Sequence, residues 1–343
     1  MMFSKFTAAV LRDNSGKVNI TTIKIPELKK KQVLVRILYT GICGSQINEI
    51  LGRKGKDKYL PHTLGHEAVG IVEKVYSNKS NIKKNDKVIL SWIKNSKKDS
   101  LLPKYKNKKE NINSGLISTF MNFAIISENR LFKIKTNIDN SLLPLMGCAI
   151  PTSIGVFKNI IKDNIKGKKI GIFGCGGIGL LTLCYLVKKN NIVFGLDINN
   201  KKLKLAKKIG ARIINVNKFN KIQILKKLNG PLDLAIDTSG SKTSIQNAFE
   251  LIKKKGRLII SSNVNKNEKI SIDPFQIIEG KKIIGNWGGK SNLKRDMPFF
   301  LNFIKKEKKF LKKYFIKIYK FKNINHAIRD MIEGKVVRPI IKL

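Results

Sequence analysis

The stretch from Lys168 to Asp197 constrains this chain more than any other. It opens on Ile170-Gly171-Ile172-Phe173, a short apolar run that reads as a strand entering a turn. Gly174, Gly176 and Gly179 follow in G-x-G-x-x-G spacing. Ile178 to Lys189 is apolar and helix-length, and the polar end Lys188-Lys189-Asn190-Asn191 suits a helix C-terminus. Ile192 to Asp197 reads as a second strand closing on an acid. Strand, turn, helix and strand in that order predict parallel pairing through a right-handed crossover, the unit of a doubly wound sheet.

Each glycine has a physical task in such a turn. The first permits the tight bend, the second lets a diphosphate approach the backbone, and the third lets the helix pack against the strand. The diphosphate then meets free N–H groups and the positive end of the helix dipole. An acid about 20 residues further on accepts hydrogen bonds from ribose hydroxyls and repels a 2′-phosphate. Asp197, followed by Ile198-Asn199 with no arginine, therefore predicts NAD over NADP, although Lys201 and Lys202 offset part of the repulsion. A doubly wound sheet that binds no nucleotide is the competing reading.

A chain of 343 residues has room for two domains, and its apolar fraction of 42% is that of a globular protein. No apolar run is long enough to span a bilayer, so no membrane partner is expected. Near the N-terminus, Ala8-Ala9-Val10-Leu11 is too short for the apolar core of a signal peptide. Cys43, Cys148, Cys175 and Cys184 are scattered, unlike a disulfide framework. These features predict a reduced, cytoplasmic protein.

The charge is extreme: 69 Lys and Arg against 23 acids give a formal +46. Such a charge attracts nucleic acid and anionic surfaces without specificity. The lysines, however, run through the whole chain among many Asn and Ile residues, the pattern of a compositional bias toward adenine-rich codons. Aromatic residues are not interleaved with them as in a stacking platform, so no specific nucleic-acid partner is expected. A basic nucleic-acid-binding protein using the fold as scaffold stays open as a rival of another class.

The N-terminal part differs from the central stretch. Phe6 to Leu11 and Val18 to Ile25 read as strands about a turn at Asp13-Asn14-Ser15-Gly16, and Gln32 to Tyr39 as a third. This antiparallel start predicts a separate domain. Residues 94–115 show little periodicity and read as a long surface loop. After Asp197 the expected elements alternate: helices Lys201–Ile209, Lys218–Leu228 and Lys242–Lys254, strands Arg212–Val216, Leu232–Asp237 and Arg257–Ser261, then two short strands flanking Glu279-Gly280. The tail reads as a helix near Asp296–Lys306, a strand Phe315–Tyr319, a helix Ile324–Glu333 and a strand Val336–Lys342 that returns to the first domain.

Three further groups, at turns and strand ends, precede the glycine turn. Gly41-Ile42-Cys43-Gly44-Ser45, Gly65-His66-Glu67 with Gly70, Gly147-Cys148 and the glycine turn occur in that order. Singly, Cys43 and Cys148 read as buried small hydrophobes and His66 as a satisfied turn histidine. Together they resemble the zinc-dependent medium-chain alcohol dehydrogenase family, over nearly the whole chain. Gly285-Asn286-Trp287-Gly288-Gly289-Lys290 looks like that family's return from the cofactor domain, and Gly334 to Arg338 like its closing segment.

The resemblance implies an α/β fold: a Rossmann doubly wound parallel sheet over 151–287, plus a mostly β GroES-like catalytic domain from 1–150 and 288–343. It implies one catalytic Zn2+ per chain on Cys43, His66 and Cys148 with an open fourth position. Ser45 would pass on the substrate's proton and Glu67 would lie behind the metal. NAD would be held by Gly174, Gly176, Gly177, Ile178, Gly179, Asp197, Lys202 and Arg338. A cysteine at 148 points to the alcohol/aldehyde branch, because the polyol branch generally has glutamate there. A homodimer or homotetramer acting on a small alcohol or aldehyde is expected. The nearest rival is a metal-free member reducing enones or quinones.

The sequence departs from the family in places. Gln46 stands where relatives usually keep an acid, so the carboxylate orienting a ligand histidine is missing. Asn48 replaces a histidine common at the end of the proton relay, and Trp92 falls where relatives place a large apolar pocket wall. Many relatives carry a structural zinc on four cysteines after the strand matching Asp86–Trp92. Between Ser91 and Phe120 this chain has neither cysteine nor histidine, and Ser96, Asp99 and Glu110 among lysines would hold zinc poorly. That loop is expected to be metal-free and mobile, held by Leu101, Leu102 and Tyr105.

Overall fold

The computed structural model describes residues 5–77, 80–95, 98–162 and 165–343, so Ser96 and Lys97 of the long loop lie outside it. The chain divides into two compact units, Met1–Cys148 with Asn292–Leu343, and Ala149–Ser291.

The first unit is built on strands. β1 (Lys5–Leu11) and β2 (Asn19–Lys24) pair antiparallel, and the side chain of Asp13 accepts the Ser15 N–H at 2.9 Å in the intervening turn. β3 (Gln32–Gly41) carries the Val33, Val35 and Ile37 run into the core and is followed by a short helix, α1 (Gly44–Ile50). Then come β4 (His62–Thr63), β5 (Glu67–Val75), β6 (Lys87–Ser91), β7 (Tyr105–Lys106), β8 (Asn111–Ser114), β9 (Phe123–Ser127) and β10 (Leu131–Lys133). A closed barrel runs β1-β2-β7-β8-β4, while a second sheet runs β10-β6-β5-β3 with β9 also on β3.

The expected loop over 94–115 therefore contributes two strands. Tyr105 has no exposed surface, lies edge-on to Phe6 at 5.8 Å and accepts the Ile125 N–H at 3.0 Å. Burying that ring draws its neighbours into the barrel, which a scan for periodicity over so short a hairpin does not register. Leu101 and Leu102, expected to share this packing, are exposed.

The second unit follows the parallel rhythm. Its elements are α2 (Ala149–Val156), β11 (Lys169–Phe173), α3 (Gly177–Val187), β12 (Ile192–Asp197), α4 (Asn200–Ile209), β13 (Arg212–Asn215), α5 (Lys221–Leu228), β14 (Leu232–Asp237), α6 (Lys242–Glu250), β15 (Ile252–Ile260), α7 (Pro274–Ile278) and β16 (Lys282–Gly285). All pairings in the sheet are parallel, in the order β13-β12-β11-β14-β15-β16. The order reverses at β11, so its C-terminal end is the topological switch point, where such sheets receive ligands. Caps are local: the Asn199 side chain accepts the N–H groups of Lys201 and Lys202, and Gly210 ends α4 at φ 101°.

Two expected elements differ. The helix expected to run to Lys254 stops at Glu250, because Ile252 is buried and pairs with Leu232 in the sheet while Lys253, Lys254 and Lys255 project to solvent. Of the two short strands expected about Glu279-Gly280, the second is β16, whereas the first is the helical turn α7, with Asp273 accepting the Phe275 N–H at 2.9 Å. After it the chain forms α8 (Leu293–Phe310), β17 (Ile316–Lys320), α9 (Ile324–Ile332) and β18 (Arg338–Lys342). β18 joins the first unit's larger sheet, antiparallel to β3 with Ile340 opposite Gly41.

Candidate active site

Sheet register assembles the first cluster. Cys43 caps α1 just beyond the end of β3, and Glu67 opens β5, whose Ala68 lies opposite Thr40. Cys148 follows the 3₁₀ turn Leu143–Gly147. One ligand atom from each of Cys43, His66 and Cys148 lies within 4.8 Å of the others. Glycine makes room for this convergence. A Cβ on Gly41 would come within 2.1 Å of Glu67 Oε1, and one on Gly147 within 2.4 Å of the Leu90 carbonyl. Ser91 Oγ donates to the Gly147 carbonyl at 2.6 Å, and Thr40 Oγ1 to that of Glu67 at 2.9 Å, fixing the strands behind the cluster.

The electrostatics favour a thiolate on Cys43 hydrogen-bonded by the thiol of Cys148. A hydrogen bond from the Cys148 thiol outweighs burial and, with the Arg338 charge, holds the Cys43 thiol well below its ordinary range. Cys148, the donor in that pair, is pushed up. Burial raises the Glu67 carboxyl against the opposing charge of Arg338, whose Nη2 lies 2.9 Å from Glu67 Oε2. Both members of that pair are fully buried. For Arg338, burial acts against the charge, but Cys43, Glu67 and Cys148 outweigh it and keep the guanidinium charged.

Gln46 does more than the sequence indicates. Its Oε1 accepts the Cys43 N–H at 2.8 Å, and its Nε2 reaches His66 Nδ1. The missing carboxylate is thus replaced by an amide that ties the first thiol's backbone to the imidazole. With Nδ1 turned to Gln46, the nitrogen left for a metal is Nε2, which is buried with no hydrogen-bond partner. For Nε2 to coordinate, Nδ1 must carry the ring proton, and the Gln46 amide then turns its oxygen to Nδ1 and releases the Cys43 N–H. Two thiols and an orphaned imidazole nitrogen fit a zinc ion, a soft-to-borderline cation that takes S and N ligands.

The second cluster is the glycine turn. Gly174 has φ 93°, open to glycine, and a Cβ on Gly179 would meet the Gly174 carbonyl at 1.9 Å. Around Gly176 an added Cβ would meet nothing within 4 Å, the open space a diphosphate needs. Gly176 is also the N-cap of α3, and no side chain caps it, so Gly177 and Ile178 open that helix with N–H groups available to an anion. At the end of β12, Asp197 Oδ2 accepts the Cys175 N–H at 2.7 Å and Oδ1 the Asn199 N–H at 2.8 Å. The acid therefore braces the turn from behind while keeping lone pairs for further donors. Lys202 lies in the first turn of α4, half-buried.

Comparison with known proteins identifies the family. A family model described as alcohol dehydrogenase GroES-like domain matches residues 29–136, and one described as zinc-binding dehydrogenase matches residues 177–306. The chain belongs to the zinc-type medium-chain alcohol dehydrogenase family. It is 24% identical to alcohol dehydrogenase 2 of Zea mays, covering 99% of this chain and 97% of that protein. It is 25% identical to an S-(hydroxymethyl)glutathione dehydrogenase of Komagataella pastoris, covering 99% and 98%. Its fold is that of benzyl alcohol dehydrogenase from Acinetobacter calcoaceticus, with a TM-score of 0.87 at 23% identity and 99% of both chains covered.

Within this family member, Cys43, His66, Glu67 and Cys148 come together as the motifs suggest, and Ser45 stands half-buried in the first turn of α1. Trp92 is adjacent in the backbone, its N–H donating to the His66 carbonyl at 3.1 Å. Arg338 has a partner the motifs do not indicate. The resemblance gives it to the cofactor, whereas here its guanidinium is engaged by Glu67 and 1% exposed. That role was invisible in sequence because it depends on β18 lying beside β3. Among the described residues, no helix is long and apolar enough to cross a membrane.

Proposed function

We propose that the chain is an oxidoreductase interconverting an alcohol with an aldehyde or ketone, with zinc at Cys43, His66 and Cys148 and NAD at the glycine turn. The observation that carries this reading is the convergence of two thiols with an unpartnered, buried His66 Nε2. Family membership supports the oxidoreductase class, and the alcohol dehydrogenases among its relatives support alcohols and aldehydes as the substrate class. Bound there, zinc would supply a Lewis acid for the substrate oxygen and NAD a hydride acceptor.

The chain's own residues set the rest. Gln46 orients His66, Glu67 and Arg338 form a fixed charge pair behind the thiols, and Ser45 is the nearest hydroxyl in sequence to carry away a proton. NAD over NADP rests on Asp197. The test is a panel of alcohols and aldehydes with each cofactor, followed by NADH absorbance, together with elemental analysis of the purified protein. Turnover with NAD and about one tightly held zinc per chain is the expected outcome. Turnover of enones or quinones at a zinc content near zero would replace this reading with the metal-free reductase.

A further inference from the structure

A second set of ligand atoms lies apart from the thiols, where no cysteine contributes. Glu49 in the last turn of α1, Asp57 in the following loop and His62 in β4 each present one ligand atom within 4.8 Å of the others. His62 is 6% exposed. Its Nδ1 lies 3.2 Å from the Thr63 carbonyl, so in the Nδ1–H tautomer the ring donates there. Nε2 is then left facing Asp57 Oδ2 at 2.8 Å and Glu49 Oε1 at 3.9 Å. In that tautomer the Nε2 lone pair is aimed at two carboxylates, an arrangement a metal ion fits, whereas the other tautomer places a proton on Nε2.

The geometry distinguishes the two. A proton on Nε2 satisfies Asp57 alone, because 3.9 Å to Glu49 is beyond hydrogen-bond reach. An ion drawn in among the three atoms takes all of them. The other half of each ligand is also tied back. Asp57 Oδ1 accepts the Tyr59 N–H at 2.9 Å, and Lys54 Nζ holds Glu49 Oε2 at 2.8 Å. Each carboxylate thus turns one braced oxygen outward and one toward the imidazole, and the imidazole's far nitrogen is fixed on a backbone carbonyl. That is the outer support metal-binding residues use to hold their ligand atoms in place.

We propose that Glu49, Asp57 and His62 form a second, exchangeable divalent-cation site. One imidazole and two carboxylates suit borderline ions of the Mn2+ to Zn2+ class, whereas Ca2+ and Mg2+ take oxygen sets and thiolate-seeking ions prefer the first cluster. Three ligands, a part-exposed Glu49 and the ammonium of Lys54 keep the affinity low, so this ion leaves on dialysis while the thiolate zinc stays.

Mn2+ is the probe. Zinc-loaded, dialysed full-length protein is titrated with Mn2+, and the free ion is read from its paramagnetic resonance signal. One Mn2+ per chain is expected. Asp57→Asn and Glu49→Gln, both near the surface and each leaving its partner residues in place, should weaken that binding at least tenfold, about 1.4 kcal/mol. The tightly held zinc count should not change. Failure of the protein to bind Mn2+ in the titration, or equal binding by both variants, would overturn the site and leave His62 hydrogen-bonded to Asp57 alone. A lost tight zinc with Mn2+ binding intact would count against the proposed function instead.

Discussion

The glycine turn and the thiol corner are the two candidate ligand sites of the proposed function, yet they are built in opposite ways. The turn is one contiguous stretch, Lys168 to Asp197, whose parts contact one another through local geometry: Gly179 against the Gly174 carbonyl, Asp197 against the Cys175 N–H. The corner draws on Cys43, Gln46, His66, Glu67, Cys148 and Arg338, brought together by the register of β3 with β5 and β18. The first can be assembled by short-range folding. The second exists only once long-range strand pairing is complete.

The comparison breaks most sharply at the ligands. Cys43→Ser or His66→Ala is expected to abolish turnover and lose zinc while NADH binding by fluorescence survives, since the turn needs nothing from the corner. Unchanged kcat in either variant would rule out the metal mechanism. Gly179→Ala is the converse. Its Cβ would sit 1.9 Å from a backbone carbonyl, so a loss of about 1–3 kcal/mol in stability and a raised KM for cofactor are expected, with zinc content unaltered. Thermal unfolding with and without NADH, plus metal analysis, measures both.

Smaller effects sharpen the contrast. Asp197→Ser should erode the preference for NAD by roughly tenfold in kcat/KM, about 1.4 kcal/mol, while retaining activity. A protein that already prefers NADP would remove the basis for that assignment. The long loop provides the mildest test. Arg130, 4% exposed, pairs with Asp99 through Nε at 2.7 Å and Nη2 at 2.8 Å, so this region is anchored and not merely draped on the surface. Burial would raise the Asp99 carboxyl, but Arg130 outweighs it and holds it below the usual carboxylate range. A depressed carboxylate adds stability above its unfolded value near pH 4, and loses it as pH falls through the lower folded value. Asp99→Asn should therefore cost about 1 kcal/mol at neutral pH by leaving a buried guanidinium poorly paired. The gap to the parent chain should close in acid, as denaturant titrations at several pH values would register.

By itself the sequence determined the parallel unit, its glycine turn and the set of residues able to hold a metal. Periodicity, glycine spacing and ligand type are written locally. Tertiary structure decided the rest. It set Arg338 beside Glu67, turned Gln46 into the tie between Cys43 and His66, and folded Tyr105 into the barrel. It also gathered Glu49, Asp57 and His62, whose sequence spacing carries no metal signature. Each of those depends on which strands lie side by side and in what register, and a strand's own residues specify its alternation but not its neighbour.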